Sequence, residues 1–168
     1  MPSLFVIGGA RSGKSRYAQE RAEATGLSPV FIATAQAFDG EMRERIARHQ
    51  ADRGREWETV EAPFDLTQAI MERAGPDSVL LVDCLTLWVT NLMLGERDIA
   101  SATQCLIGEL QNARGPIIIV SNEVGLGIVP DNALARRFRD AAGTVNQQIA
   151  AIADEVRFMA AGLPLTLK

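Results

Sequence analysis

Eight residues near the start of the chain, Gly8, Gly9, Ala10, Arg11, Ser12, Gly13, Lys14 and Ser15, carry the spacing G-x-x-x-x-G-K-[ST]. Glycines in such a loop let successive backbone N–H groups turn inward around a phosphate chain. A helix that begins where the motif ends adds the positive end of its dipole to the same anion. Lys14 is then placed to reach β- and γ-phosphates, and Ser15 to set a hydroxyl on Mg²⁺. The rival reading is a glycine-rich turn that matches by chance. Against it, the apolar run Leu4-Phe5-Val6-Ile7 precedes the motif and a helix-like segment follows, which is the strand–loop–helix context the motif requires. The expected ligand class is a nucleoside triphosphate.

Two further groups could join that chemistry. Val79-Leu80-Leu81-Val82-Asp83 is an apolar run ending in a carboxylate. Beside a phosphate loop, such an acid holds Mg²⁺ directly or through water; the alternative is a cap for a helix over Leu85–Leu94. His49 is the only histidine in the chain. At helical spacing it shares a stripe with Met42, Ile46 and Arg53, and Arg45 and Arg48 lie close. Neighbouring cations disfavour the protonated ring, keep it nucleophilic and attract phosphate. A histidine nucleophile is needed only where a group is parked on the enzyme, splitting one transfer into two. On these residues alone an ordinary surface or core histidine is the commoner reading.

The elements that must position these groups alternate between strand and helix. Leu4–Ile7, Val30–Ala33, Trp57–Val60, Val79–Val82 and Ile117–Val120 read as strands. Lys14–Ala24, Phe64–Ala74, Leu85–Leu94, Ser101–Arg114 and Asp131–Ala153 read as helices. Asp39 is a plausible N-cap for a polar helix running to about Arg53. Val156–Ala160 and Leu163–Leu167 read as closing strands joined by a tight turn at Gly162. The alternation predicts an α/β, phosphate-loop NTPase-like fold with a mainly parallel sheet and helices on both faces. Ligands of such sheets bind outside the carboxyl ends of the strands, so the loop, Thr34, Asp83 and Asn122 should meet on one rim.

A chain of 168 residues is expected to form one domain, residues 1–168, with a full core. A net charge of −4 argues against a nucleic-acid surface. Cys84 and Cys105, both in apolar segments, read as reduced core thiols rather than a disulfide or metal pair. No apolar run is long enough to span a bilayer, and the N-terminus leads straight into the first strand with no signal peptide in view. The expected compartment is the cytoplasm.

Taken together, several segments resemble one family. They are Gly8–Ser15 with Arg16, Ile32-Ala33-Thr34-Ala35-Gln36, and Glu41-Met42 with Arg45-Ile46, His49, Arg53, Trp57, Thr59 and Glu61. Further on come Asp83-Cys84-Leu85-Thr86 with Thr90-Asn91-Leu92, and Ser121-Asn122-Glu123-Val124-Gly125 with Gly127-Ile128-Val129-Pro130. In order and spacing these resemble the bifunctional adenosylcobinamide kinase/adenosylcobinamide-phosphate guanylyltransferase of cobalamin biosynthesis, over essentially the whole chain. The segment Leu94-Gly95-Glu96-Arg97-Asp98 is shorter than in some relatives, which carry an insertion there.

The resemblance implies two reactions. ATP or GTP phosphorylates the aminopropanol arm of adenosylcobinamide. GMP then passes from GTP to adenosylcobinamide phosphate through a GMP–histidine, giving adenosylcobinamide-GDP and pyrophosphate. His49 stands at the place of that nucleophile. Nucleotide contacts carry over to Gly8 through Ser15, Thr34, Ala35, Gln36, Gln50, Ala51, Asp52, Arg53, Glu61 and Asp83, with Ser15 and Asp83 toward Mg²⁺. Arg53 could pair with phosphate oxygens, and Glu61 could accept from the guanine amino edge. The corrinoid is a substrate here, not a resident cofactor. A homo-oligomer, by family tendency a trimer, is implied. The apolar stripe Leu85, Trp88, Val89 and Leu92 is either its interface or plain core. Two rivals remain: a simple small-molecule kinase without a covalent intermediate, and a nucleotide-switched binding module. The absence of an N-K-x-D guanine motif weighs against the switch.

Overall fold

Seven strands form one sheet in the order β3-β2-β4-β5-β1-β6-β7. The computed structural model describes residues 3–36, 54 and 56–168. The helix expected from Asp39 to Arg53, and with it His49, Gln50, Ala51, Asp52 and Arg53, lies outside the described residues. Strands β1 (Ser3–Gly8), β2 (Ser28–Ala33), β3 (Glu58–Glu61), β4 (Ser78–Asp83), β5 (Ile117–Asn122) and β6 (Glu155–Ala160) are all parallel. Only β7 (Leu163–Thr166) runs antiparallel, paired with β6. The β6–β7 turn is two residues, Ala161 and Gly162, with φ of 51° and 80°. Positive φ at both centres is the twist a two-residue hairpin needs.

The all-apolar runs sit where both faces of a strand are covered. Val79–Val82 of β4 and Ile117–Val120 of β5 are buried throughout, as central parallel strands must be. Burying each such side chain contributes about 1.5–3 kcal/mol.

Among the described residues, α1 (Lys14–Glu23) covers one face through Ala18 and Ala22. The other face is covered by α2 (Leu66–Arg73), α3 (Leu85–Leu94), α4 (Ile99–Asn112) and α5 (Ala133–Ile152). Helices therefore lie on both faces, as expected, but unequally. No described helix is long and apolar enough to cross a membrane.

Capping decides where two helices differ from expectation. Helix α4 begins at Ile99 rather than Ser101, because Asp98 Oδ1 accepts from the Ser101 N–H at 3.1 Å. Helix α5 begins at Ala133 rather than Asp131, because Asn132 Oδ1 accepts from the Ala135 N–H at 2.7 Å. A side-chain oxygen that bonds two or three residues ahead satisfies a donor the first helical turn leaves free.

One alternative is decided and one expectation needs correction. The Leu85, Trp88, Val89 and Leu92 stripe is core, buried against the sheet within this chain, so it offers no surface to a second copy. Trp88 is further fixed by its indole N–H, which donates to the Phe64 carbonyl at 3.0 Å. Both cysteines are free, but only Cys84 is buried; Cys105 is exposed. On α4 the inward residues are Thr103, Leu106 and Leu110, and Cys105 falls between them on the outward side.

Candidate active site at the carboxyl rim of the sheet

Register alone assembles the rim. Gly8 is paired with Asn122 across β1 and β5, and Asp83 with Ala33 across β4 and β2. Ala33 is also paired with Glu61 across β2 and β3. The phosphate loop, Thr34, Glu61, Asp83 and Asn122 thus lie along one edge. Asp83 and Asn122 are the last residues of their strands rather than the first beyond them.

The loop is shaped for an anion. Gly13 has φ of 95°, a backbone state that only glycine reaches without strain. It occupies the N-cap of α1 with no side-chain capping bond, so the first N–H groups of the helix are left for a ligand. A Cβ on Gly8 would stand 2.6 Å from the Met159 carbonyl oxygen and 2.9 Å from Ser12 Oγ, so the loop can begin this close to β6 only with glycine. Ser12 Oγ is buried without a hydrogen-bond partner among the described residues. The Ser12 carbonyl accepts from the Gly162 N–H at 2.9 Å, so the β6–β7 turn supports the loop from beneath.

Lys14 is 7 % exposed, and its ammonium donates to the Gly9 carbonyl. Burial lowers its proton affinity below that of an ordinary lysine, and the nearby Asp83 carboxylate partly offsets this. Ser15 Oγ donates to Asp83 Oδ2 at 2.9 Å. The Asp83 carboxylate therefore faces the loop. The N-cap of α3 is Cys84, with no side-chain capping bond, so the capping alternative for Asp83 is not how this helix starts.

Thr34 has a structural part as well. It is fully buried, and its hydroxyl is engaged with the Cys84 backbone, donating to the carbonyl at 2.7 Å and accepting from the N–H at 2.9 Å. Asn91, buried on α3, donates to the Thr34 and Pro63 carbonyls at 2.8 and 2.9 Å. These bonds fix the loops after β2 and β3 to the helix after β4. Ala35 and Gln36 are half-buried beside Thr34, while Ala10, Arg11 and Glu61 are exposed on the rim. Burial against Asp83 pushes the Cys84 thiol up to about 11, which leaves it protonated and inert.

The bonding within one group of residues had no local signal in the sequence. Thr86, Ser121 and Asn146 are buried and bonded to one another. Ser121 Oγ donates to Asn146 Oδ1 at 2.7 Å and lies 3.2 Å from Thr86 Oγ1. Their partners are separated by 25 and 35 positions, a pairing that only the fold creates.

Comparison with known proteins agrees with this geometry. The sequence model of the family described as cobinamide kinase / cobinamide phosphate guanyltransferase matches residues 4–167. The chain is 50% identical to the bifunctional adenosylcobalamin biosynthesis protein CobP of Pseudomonas aeruginosa, over 98% of this chain and 96% of that protein. It is 41% identical to the CobU proteins of Salmonella typhimurium and Escherichia coli that bear the same description, over 98% of this chain and 99% of each. A phosphate loop with a buried lysine, a carboxylate turned onto the loop serine and a full-length match of this kind lead to one conclusion: the chain belongs to the cobinamide kinase/cobinamide phosphate guanyltransferase family and is a bifunctional enzyme of adenosylcobalamin biosynthesis.

Proposed function

We propose that both reactions draw on the rim described above, with Lys14, Ser15 and Asp83 organising the triphosphate and His49 carrying GMP between donor and acceptor. The observation that carries the reading is the unfinished polarity of the loop. A buried ammonium, an uncapped helix start and a buried serine hydroxyl without a described partner meet in one place. A phosphate chain would supply the missing charge and acceptors.

The same site fits Mg²⁺. That ion takes hard oxygen ligands in number and keeps several waters. Ser15 Oγ and the Asp83 carboxylate are such oxygens, already in contact, and phosphate oxygens would complete the set. When bound, the ion neutralises charge on the phosphates.

In the kinase step the arm hydroxyl of adenosylcobinamide attacks the γ-phosphorus of ATP or GTP, while Lys14 holds the β- and γ-oxygens. In the second reaction the His49 ring attacks the α-phosphorus of GTP and pyrophosphate leaves. Adenosylcobinamide phosphate then takes GMP from the ring, giving adenosylcobinamide-GDP. His49 being the only histidine supports this role. Gln50, Ala51, Asp52 and Arg53 are proposed to line the nucleotide beside it, and Glu61 to accept from the guanine amino group. The protein is proposed to work in the cytoplasm as a single catalytic domain, assembled as a homo-oligomer, a trimer, with no nucleic-acid partner.

The test is protein labelling with GTP labelled at the α-phosphate, with γ-labelled GTP as control. The expected result is acid-labile, base-stable label from the α-position only, absent in His49→Ala and discharged by adenosylcobinamide phosphate. No protein-bound label, together with no pyrophosphate exchange, would leave a kinase that forms no covalent intermediate.

A further inference from the structure

Asn122 ends β5 directly beside Gly8, the first glycine of the phosphate loop. Successive strand residues face opposite sides of a sheet. Ser121 faces α3 and α5, where it meets Thr86 and Asn146. Asn122 therefore faces the α1 side, the side that carries the loop. Its Nδ2 lies 4.0 Å from Sγ of Cys84, a residue of the core under α1.

The backbone of Asn122 is held at every polar atom. Its N–H donates to Thr86 Oγ1 at 2.7 Å, and its carbonyl accepts from Asn146 Nδ2 at 3.1 Å. The next N–H, of Glu123, donates to the Gly8 carbonyl at 2.9 Å. Buried polar side chains are costly unless satisfied, and a satisfied network rigidifies what it touches. Here two of them, Thr86 and Asn146, bond the backbone of Asn122, and Ser121 links the pair. Among the described residues the side-chain amide of Asn122 has only a thiol as acceptor, and sulfur is a weak one. A carboxamide on a firmly held backbone thus stands on the strand position beside Gly8, on the face that carries the loop.

We propose that Asn122 is a catalytic residue of the kinase step, its Nδ2–H donating to an oxygen of the γ-phosphoryl group in flight. The inference rests on the reading of the phosphate loop as the kinase donor site. In that step the arm oxygen bonds to the γ-phosphorus, and the bond from the γ-phosphorus to the β–γ bridging oxygen breaks. The electron pair leaves with the nucleoside diphosphate, and the hydroxyl proton passes to solvent. Charge spreads over the three equatorial oxygens, and a donor aimed at that charge lowers the barrier. GMP transfer breaks its bond at the α-phosphorus instead, so Asn122 acts on one of the two reactions.

Asn122→Ala and Asn122→Asp test this in the full-length enzyme, with Lys14→Ala assayed alongside. The aspartate keeps the shape and the backbone bonds but removes the donor and sets a negative charge against the phosphoryl oxygens. Removing one such donor is expected to lower kinase kcat about 100-fold in Asn122→Ala, with nucleotide KM changed less than about threefold and GMP transfer less than about fivefold. Asn122→Asp should fall further in the kinase reaction. Kinase kcat within about threefold of the parent in either folded variant overturns the proposal, taking one lost donor as the yardstick. Equal losses in both reactions also overturn it, because they mark a purely structural role. If Lys14→Ala loses kinase activity while the Asn122 variants keep it, only the Asn122 assignment falls. If Lys14→Ala keeps it, the loop reading fails first and this inference with it.

Discussion

Two loops leave the carboxyl ends of neighbouring strands, and the chain treats them in opposite ways. The loop after β1 is drawn inward. Its serine and lysine are buried, and the β6–β7 turn donates to its backbone. The loop after β5 is pinned at its ends and bare in the middle. The Glu123 carboxylate accepts from the Gly125 N–H at 2.6 Å, and Arg136 donates to the Pro130 and Asp131 carbonyls at 2.9 and 2.7 Å. Between them Leu126 and Ile128 are 81 % and 97 % exposed. The first loop gets its shape from packing and so reads its ligand with backbone groups already in place. The second gets almost nothing from packing, so its middle is free to vary without disturbing the fold.

That contrast can be broken in order of size. Lys14→Ala removes the one buried cation of the first loop and should lower both activities about 10³-fold, read by separate kinase and GMP-transfer assays. Parent-like kinetics would mean the drawn-in loop is mere architecture. Gly8→Ala drives a Cβ into the Met159 carbonyl and Ser12 Oγ. It should cost on the order of 3 kcal/mol in chemical denaturation.

A smaller effect sits beneath α1. Arg21 makes two bonds to the Glu155 carboxylate, at 2.8 and 2.9 Å, and holds it down to about 2. Its folded value lies below its unfolded one, so this contact stabilises above pH of about 4.5 and is lost as the pH falls toward 2. Glu155→Gln should lower stability by about 1 kcal/mol at neutral pH, a half-exposed pair being worth little more. The difference from the parent should close near the acid end. A constant gap across that window would show that Glu155 acts by packing. Least of all, Ile128→Ser should shift unfolding by less than about 0.5 kcal/mol, because the side chain is almost fully in water. A larger loss would place the second loop among the packed parts of the molecule.

Much of the rim was legible because its signals are local. The loop spacing, the apolar runs of β4 and β5 and the bounds of α3 are all carried by adjacent residues. What stayed hidden depends on partners far along the chain. The polarity of Thr34 gives no sign that its hydroxyl is engaged by the Cys84 backbone, 50 positions on. The stripe on α3 looks like an interface or a core with equal ease, since both want Leu, Trp and Val. Cys105 sits in an apolar segment but on the outward side of α4, and only the packing of Thr103, Leu106 and Leu110 inward decides that.

The support of the phosphate loop by the β6–β7 turn has a temporal consequence. The loop is written in the first fifteen residues, yet β1 must lie between β5 and β6, and Ser3 is tied to Asp154 across 151 positions. The Gly162 N–H, which donates to the Ser12 carbonyl, comes from almost the other end of the chain. On the ribosome, the motif emerges early and waits. A nascent chain can complete the loop's support only after residue 162 has cleared the exit tunnel, by which point nearly all of its sheet has been made.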